Sequence, residues 1–166
     1  IIRYGEMVVF RNIEDEEGNV YNLTVAQFIH YNMATDGLQF SSELYNRILS
    51  EAVEHCTDAD FKAENYFIHH EDINISQIAT MMSEDLIQLA ESQQMRVDEE
   101  SIRNRTLHLI LDFRRDYLDE RLKMLQAQIA SSADNAELTM KLMAEYKDAS
   151  RLRNAIAKQL GSNILL

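Results

Sequence analysis

Apolar residues recur through the C-terminal part of the chain at steps of three and four. Leu107, Leu111, Leu118, Leu122, Leu125 and Ile129 share one helical face, and Leu138, Leu142, Tyr146, Ala149, Ile156 and Leu160 share another. Ser131, Ser132 and Ala133 interrupt the pattern. Asp134 and Glu137 then have the spacing of a capping pair that opens a new helix. Gly161 stands where helices commonly stop. Two stripes joined by a short polar turn predict a long antiparallel helical hairpin over residues 98–166.

The pattern before Asp98 is shorter and more varied. Met7–Arg11 and Val20–Leu23 are runs of β-formers around a polar turn, which predicts a small β-hairpin. Thr24 with Gln27 forms a capping box for a helix that buries Val25, Phe28, Ile29 and Met33 and ends at Asp36-Gly37. Ser41 or Ser42 caps a second helix with Leu44, Tyr45, Ile48, Leu49 and Val53 inward. A short helix is expected from Asp58 to Asn65, carrying Phe61, with Tyr66-Phe67-Ile68 as a buried connection. Asp72 caps a helix with Ile75, Ile78, Ala79 and Met82 inward, and more helix is expected over residues 85–97, broken before Asp98. The expected fold is all-α with one small β-hairpin: a helical bundle over residues 1–97, then the helical hairpin. Zero Pro and four Gly suit helices better than a turn-rich sandwich.

Charge separates the same two parts. Residues 1–97 carry 17 acidic and 5 basic side chains, and residues 98–166 carry 11 of each, so the net charge of −12 lies in the first part. An acidic surface repels phosphates, so direct nucleic-acid binding is not expected. No apolar run is long enough to span a membrane, and Cys56 is the single cysteine, which suits a reducing cytoplasm. The chain opens on Ile1-Ile2-Arg3 rather than Met and is expected to be a piece of a longer protein.

Candidate chemistry is sparse. His69-His70-Glu71-Asp72 could be mistaken for a metal site, but adjacent residues point in different directions and no second ligand cluster completes a set. An inter-helix loop with Asp72 as a cap is the better reading, against that of a small metal-dependent hydrolase. His55 and Cys56 are neighbours and face apart on a helix, while His30 and His108 stand alone. With no phosphate loop or nucleophile motif, a binding role is expected rather than catalysis. Two features could carry it. Ile110, Phe113, Tyr117 and Met124 form a second stripe on the first long helix, to be buried against residues 1–97 or left as a docking face. Met140 and Met143 lie off the seam of the last helix, followed by Lys147 and Arg151. Methionine offers adaptable apolar contact and the basic pair can meet carboxylates, so these four are the candidate partner-binding residues.

Across nearly its whole length the sequence resembles the C-terminal, helicase-binding domain of bacterial DNA primase. The likeness is carried by Ile2-Arg3-Tyr4-Gly5-Glu6, Thr24 to Ile29, Leu38-Gln39-Phe40 through Leu44 to Leu49, Tyr66 to Asp72 with Ile75 to Ala79, and Ala157 to Gly161. Similar primases tend to have proline near Ser42, Glu71 and Ile73, helix starts where its loss costs little. The resemblance implies a non-catalytic bundle and helical hairpin that docks on the N-terminal domain of the replicative DNA helicase and couples RNA primer synthesis to fork unwinding. It implies no cofactor here, with zinc and magnesium belonging to the zinc-binding and polymerase domains of such primases. The competing expectation is an unrelated helical-hairpin adaptor or self-association domain.

Overall fold

A computed structural model describes residues 1–15, 17–92 and 98–163. In chain order the elements are β1 (Val8–Glu14), β2 (Val20–Thr24), α1 (Val25–Thr35), α2 (Glu43–His55), α3 (Ala63–Ile68), α4 (Ile73–Ser92), α5 (Glu99–Ser131) and α6 (Ala136–Asn163). The fold is helical apart from one antiparallel hairpin, as the periodicity predicts. Of residues 85–97, those up to Ser92 continue α4 and those at 93–97 lie outside the described residues.

The hairpin pairs Val8 with Thr24, Phe10 with Leu23, Ile13 with Tyr21 and Glu14 with Val20. The register slips twice, between Val8 and Phe10 and between Phe10 and Ile13, and at the second slip Asn12 has φ 54° and its N–H donates to the Asn22 side chain at 3.0 Å. Asparagine tolerates that left-handed conformation better than most residues, so the second slip falls where the sequence permits it. At the end of β2 the chain turns into α1 through the expected capping box. The Gln27 amide donates to Thr24 Oγ1 at 3.2 Å, and the Thr24 amide donates to Gln27 Oε1 at 3.0 Å. Asp36 and Gly37, at φ 64°, close α1.

Two compact units make up the chain, Ile1–Thr106 and Leu107–Leu166. The sequence pattern places the division at residue 97 instead. The start of α5 belongs with the first unit because Ile102 joins a buried cluster with Val9, Phe10 and Val25, while Glu99 holds Arg11 at 2.9 Å. Elsewhere in this unit α1 packs on α2, and α3 and α2 pack on α4. Ala26, Ala52, Ala63, Phe67, Ile75 and Ala79 are fully buried there.

Several expectations for the first unit need correction. The short helix starts at Ala63, not Asp58. Residues 56–60 form turns, and Phe67, read as part of a connection, is buried in α3 together with Ala63. Tyr45 and Met82, expected inward, are exposed. Ser42 is the N-cap of α2 by position, but its side chain makes no capping bond. The cap at Asp72 holds: its Oδ1 accepts from the Asn74 amide at 2.9 Å.

In the second unit α5 and α6 pair in reverse order. Arg153 meets Asp119 at 2.8 Å, Gln126 donates to the Tyr146 hydroxyl at 3.0 Å, and Arg121 meets Glu145 at 3.0 Å. Leu118, Ile156 and Leu160 form the buried cluster, with Leu111 and Ala149 against it. The turn departs from expectation. Asn135, not Asp134, caps α6 by accepting the Leu138 amide at 3.0 Å. The Thr139 hydroxyl lies 2.8 Å from the Ser132 carbonyl and 2.9 Å from its hydroxyl, which fixes the helix start one residue later. Gly161 does not end α6, which runs to Asn163. Leu107 and Leu138, assigned to the buried stripes, are exposed.

Candidate docking surface

Met140, Met143, Lys147 and Arg151 are three, four and four residues apart on α6, so they share one side of the helix. At about 100° per residue that side is opposite Leu142, Ala149, Ile156 and Leu160, which face the seam. Met140 and Met143 are 67% and 53% exposed, and Lys147 and Arg151 lie beside them along the same side. The Arg151 guanidinium is 3.9 Å from Asp148, a solvent-facing contact that leaves it little constrained. The four candidate residues therefore form a continuous apolar-then-basic strip about two to three turns long.

The second stripe of α5 is divided. Ile110 is buried and Phe113 half-buried, but Tyr117 and Met124 are about half exposed, at 48% and 52%. The expectation that this stripe is hidden as a whole fails for those two residues. Leu109, which the sequence pattern places on neither stripe, is more exposed than either.

The histidine pair resolves into unlike residues. His69 Nδ1 sits 2.9 Å from the Asn65 carbonyl on an exposed part of the chain. His70 is nearly buried, and both of its ring nitrogens are engaged. The Asp72 amide donates to Nδ1 at 2.9 Å, so the ring proton lies on Nε2 and is donated to Glu51 at 2.8 Å. Glu51 also accepts from Arg47 at 2.7 Å and from the Tyr66 hydroxyl at 3.2 Å. Burial opposes ionisation of Glu51, yet the hydrogen bonds from Arg47, His70 and Tyr66 hold its carboxyl below the ordinary carboxylate value. Arg47 reaches on to Asp72 at 2.7 Å. This network ties α2 to α3 and to the start of α4. Neither nitrogen of His70 is left to take a proton from a substrate, so the arrangement is a structural clasp.

Sequence reasoning missed the clasp because the links that join its Arg47–Glu51 half to its Tyr66, His70 and Asp72 half span 15 to 25 residues. Cys56 and His55 face different partners: Sγ contacts the Val53 carbonyl at 2.9 Å and His55 pairs with Asp58 at 3.0 Å. Among the described residues, no group of three or more His, Cys, Asp or Glu side chains is arranged to hold a metal ion. Among the described residues, no helix is long and apolar enough to cross a membrane.

The sequence matches one family model over residues 1–164, and the chain belongs to that family, described as "Domain of unknown function (DUF8430)". Comparison with curated proteins and with solved structures returns no match.

Proposed function

We propose that this chain is a non-catalytic docking domain of the kind found at the C-terminus of bacterial DNA primase, binding the N-terminal domain of a replicative DNA helicase. On this reading it works in the cytoplasm, binds no nucleic acid itself and needs no cofactor. The sequence resemblance supplies the class. The observation that carries the assignment to the helical hairpin is the outer face of α6. There Met140 and Met143 offer adaptable apolar contact, and Lys147 and Arg151 are spaced to meet an acidic rim.

Titration of the helicase N-terminal domain with the whole chain tests the reading. Met140→Ala/Met143→Ala should weaken binding by about ten- to a hundred-fold, the loss typical of truncated central anchors. Lys147→Glu/Arg151→Glu should chiefly slow association and reduce its salt dependence. No binding by the unaltered chain would discard the helicase assignment. The competing reading is an unrelated adaptor or self-association domain, and it draws its support from the exposed Leu109, Tyr117, Met124 and Leu152 of the same unit. A concentration-dependent dimer in sedimentation, lost on Tyr117→Ser/Met124→Ser, would support that instead.

A further inference from the structure

The first unit contains a cleft of about 500 Å³ where the β1–β2 turn meets α1. Tyr21, Phe28 and Tyr31 line it together with Glu14, Asp15 and Glu17. We propose that this cleft binds a basic, extended peptide segment of a partner protein by taking up one arginine or lysine side chain.

The chemistry of the lining selects the charge of the occupant. Aromatic faces attract a cationic head through their quadrupoles, and carboxylates beside them complete the recognition of a guanidinium or ammonium group. None of the described lining residues is basic, so no cation of the lining fills the cleft. An anionic segment would meet three carboxylates and the acidic excess of the whole first part of the chain.

The site is also built in advance. Asp15 Oδ1 accepts from the Asn19 and Glu17 amides at 2.8 and 3.0 Å, and Oδ2 accepts from Asn19 Nδ2 at 3.0 Å. The Gly18 amide closes the turn onto the Asp15 carbonyl at 3.1 Å, with Gly18 at φ 83°. The Asn19 side chain and then its backbone, with the other turn amides, hold the Asp15 carboxyl below its ordinary value, so it stays a fixed anion. On the other side, Phe28 is stacked on Phe10 with ring centroids 3.7 Å apart. The occupant finds the Asp15 carboxylate and the Phe28 ring already held in place, and little conformational entropy is lost at those two groups on binding.

Openness decides between a peptide and a small molecule. Tyr31 is 60% exposed, so the cleft lies along the surface. A small-ligand site encloses most of its ligand. A peptide side chain needs only its stem and head covered, while its backbone runs outside.

The test titrates the whole chain, labelled with nitrogen-15, with an unstructured Arg-Gly-Ser peptide and with an Asp-Gly-Ser control. Amide shifts confined to residues 13–32 are expected with the first peptide, and none with the second. Tyr31→Leu keeps apolar area and removes the π-face, and should weaken binding about three- to five-fold. Glu14→Gln/Glu17→Gln should weaken it about ten-fold at low salt, as lost charge complementarity does. Three results would overturn the proposal: shifts spread over the acidic surface at large, affinity indifferent to Tyr31→Leu, or free arginine binding as tightly as the peptide.

Discussion

The two units bury apolar surface in different ways. In the first, helices close on one another from several directions. Ala26, Ala52, Ala63 and Ala79 at the contacts have no exposed surface, so backbones approach closely around Phe67 and Ile75. In the second, two helices make a single seam, and its fully closed centre is Leu125, 1% exposed. The flanks are held by polar pairs such as Asp119 with Arg153. A single seam covers only part of each helix, and Tyr117, Met124, Met140, Met143 and Leu152 remain outside it. Both units leave large apolar residues outside their cores, Ile73 and Met81 in the first among them, but those of the second lie along the two helices of one seam.

The largest effects should come from the two core centres, and they should differ. Phe67→Ala should destabilise the first unit by about 3–5 kcal/mol. Leu125→Ala should cost the second about 2–3 kcal/mol, toward the low end for such truncations, since two helices can settle into the space more easily than a multi-sided core. Urea unfolding followed by circular dichroism measures both. If Phe67→Ala cost less than Leu125→Ala, the contrast between the cores would be wrong.

In the second unit Asp112 is likewise shared by His108 and Arg115, but all three lie along one helix, whereas the Glu51 clasp joins separate elements. Glu51→Ala leaves the Nε2 proton of His70 buried without its acceptor, which should cost about 1–3 kcal/mol. The sign of its pH dependence follows from a carboxyl held below its ordinary value. The stabilisation is fully present above the ordinary glutamate value of 4.5 and is lost as pH falls through the lower value of the folded protein. The stability gap between the unaltered chain and Glu51→Gln should therefore be constant near neutrality and shrink in acid. A gap that stays the same down to about pH 3, below the ordinary carboxylate range, would show that the charge of Glu51 does not matter.

Legibility in the sequence follows the range of the interaction. The capping box at Thr24, the cap at Asp72 and the β-hairpin are written in a few adjacent residues and are present, although β1 runs to Glu14, three residues past the expected end at Arg11. Asp58 resembles a helix start because an acidic cap precedes an apolar residue at the right spacing. The helix instead begins at Ala63, which is fully buried and whose amide donates to the distant Glu6 carboxylate at 3.4 Å, with Lys62 before it making no side-chain capping bond. Asp134 and Asn135 are equally good caps locally. The contact of Thr139 with Ser132, seven residues apart, favours the second. Periodicity names the inward faces of α2, α4 and α6 correctly but not their extent. Tyr45, Met82 and Leu138 have the right phase and lie where no neighbour covers them. The four residues of the candidate docking strip are legible as a helical face. The clasp is not, since it joins α2 to α3 and the start of α4, and the cleft is not, since its lining comes from neighbouring elements at no periodic spacing.

Helix caps sharpen the contrast on a smaller scale. Thr24 is buried and its box satisfies two amides, so Thr24→Ala should cost about 1–2 kcal/mol. Asn135 is exposed and satisfies one amide, so Asn135→Ala should cost about 0.5–1 kcal/mol. Thermal unfolding of both variants checks the order. A larger loss at Asn135 would mean that the inter-helix turn is more tightly coupled to the second unit's stability than its exposure implies.

The smallest effect on stability belongs to the residues with the largest proposed role in binding. Met140 and Met143 are more than half exposed, and Leu142 between them is 9% exposed on the seam. If the methionines serve a partner and not the fold, Met140→Ala/Met143→Ala should change unfolding free energy by no more than about 0.5 kcal/mol, as surface substitutions usually do. Alanine is also a better helix former than methionine, which offsets part of any lost contact. Leu142→Ala, one position away, should cost about 2–3 kcal/mol because it opens space in the seam. Measuring the variants side by side separates the roles within a single turn of α6. A loss of more than about 1.5 kcal/mol in the methionine pair would show that they help to pack the second unit, in the range of core and not surface substitutions. The outer face of α6 would then lose its apolar half as a docking strip. Near-zero loss together with weakened helicase binding would separate docking from folding at these positions.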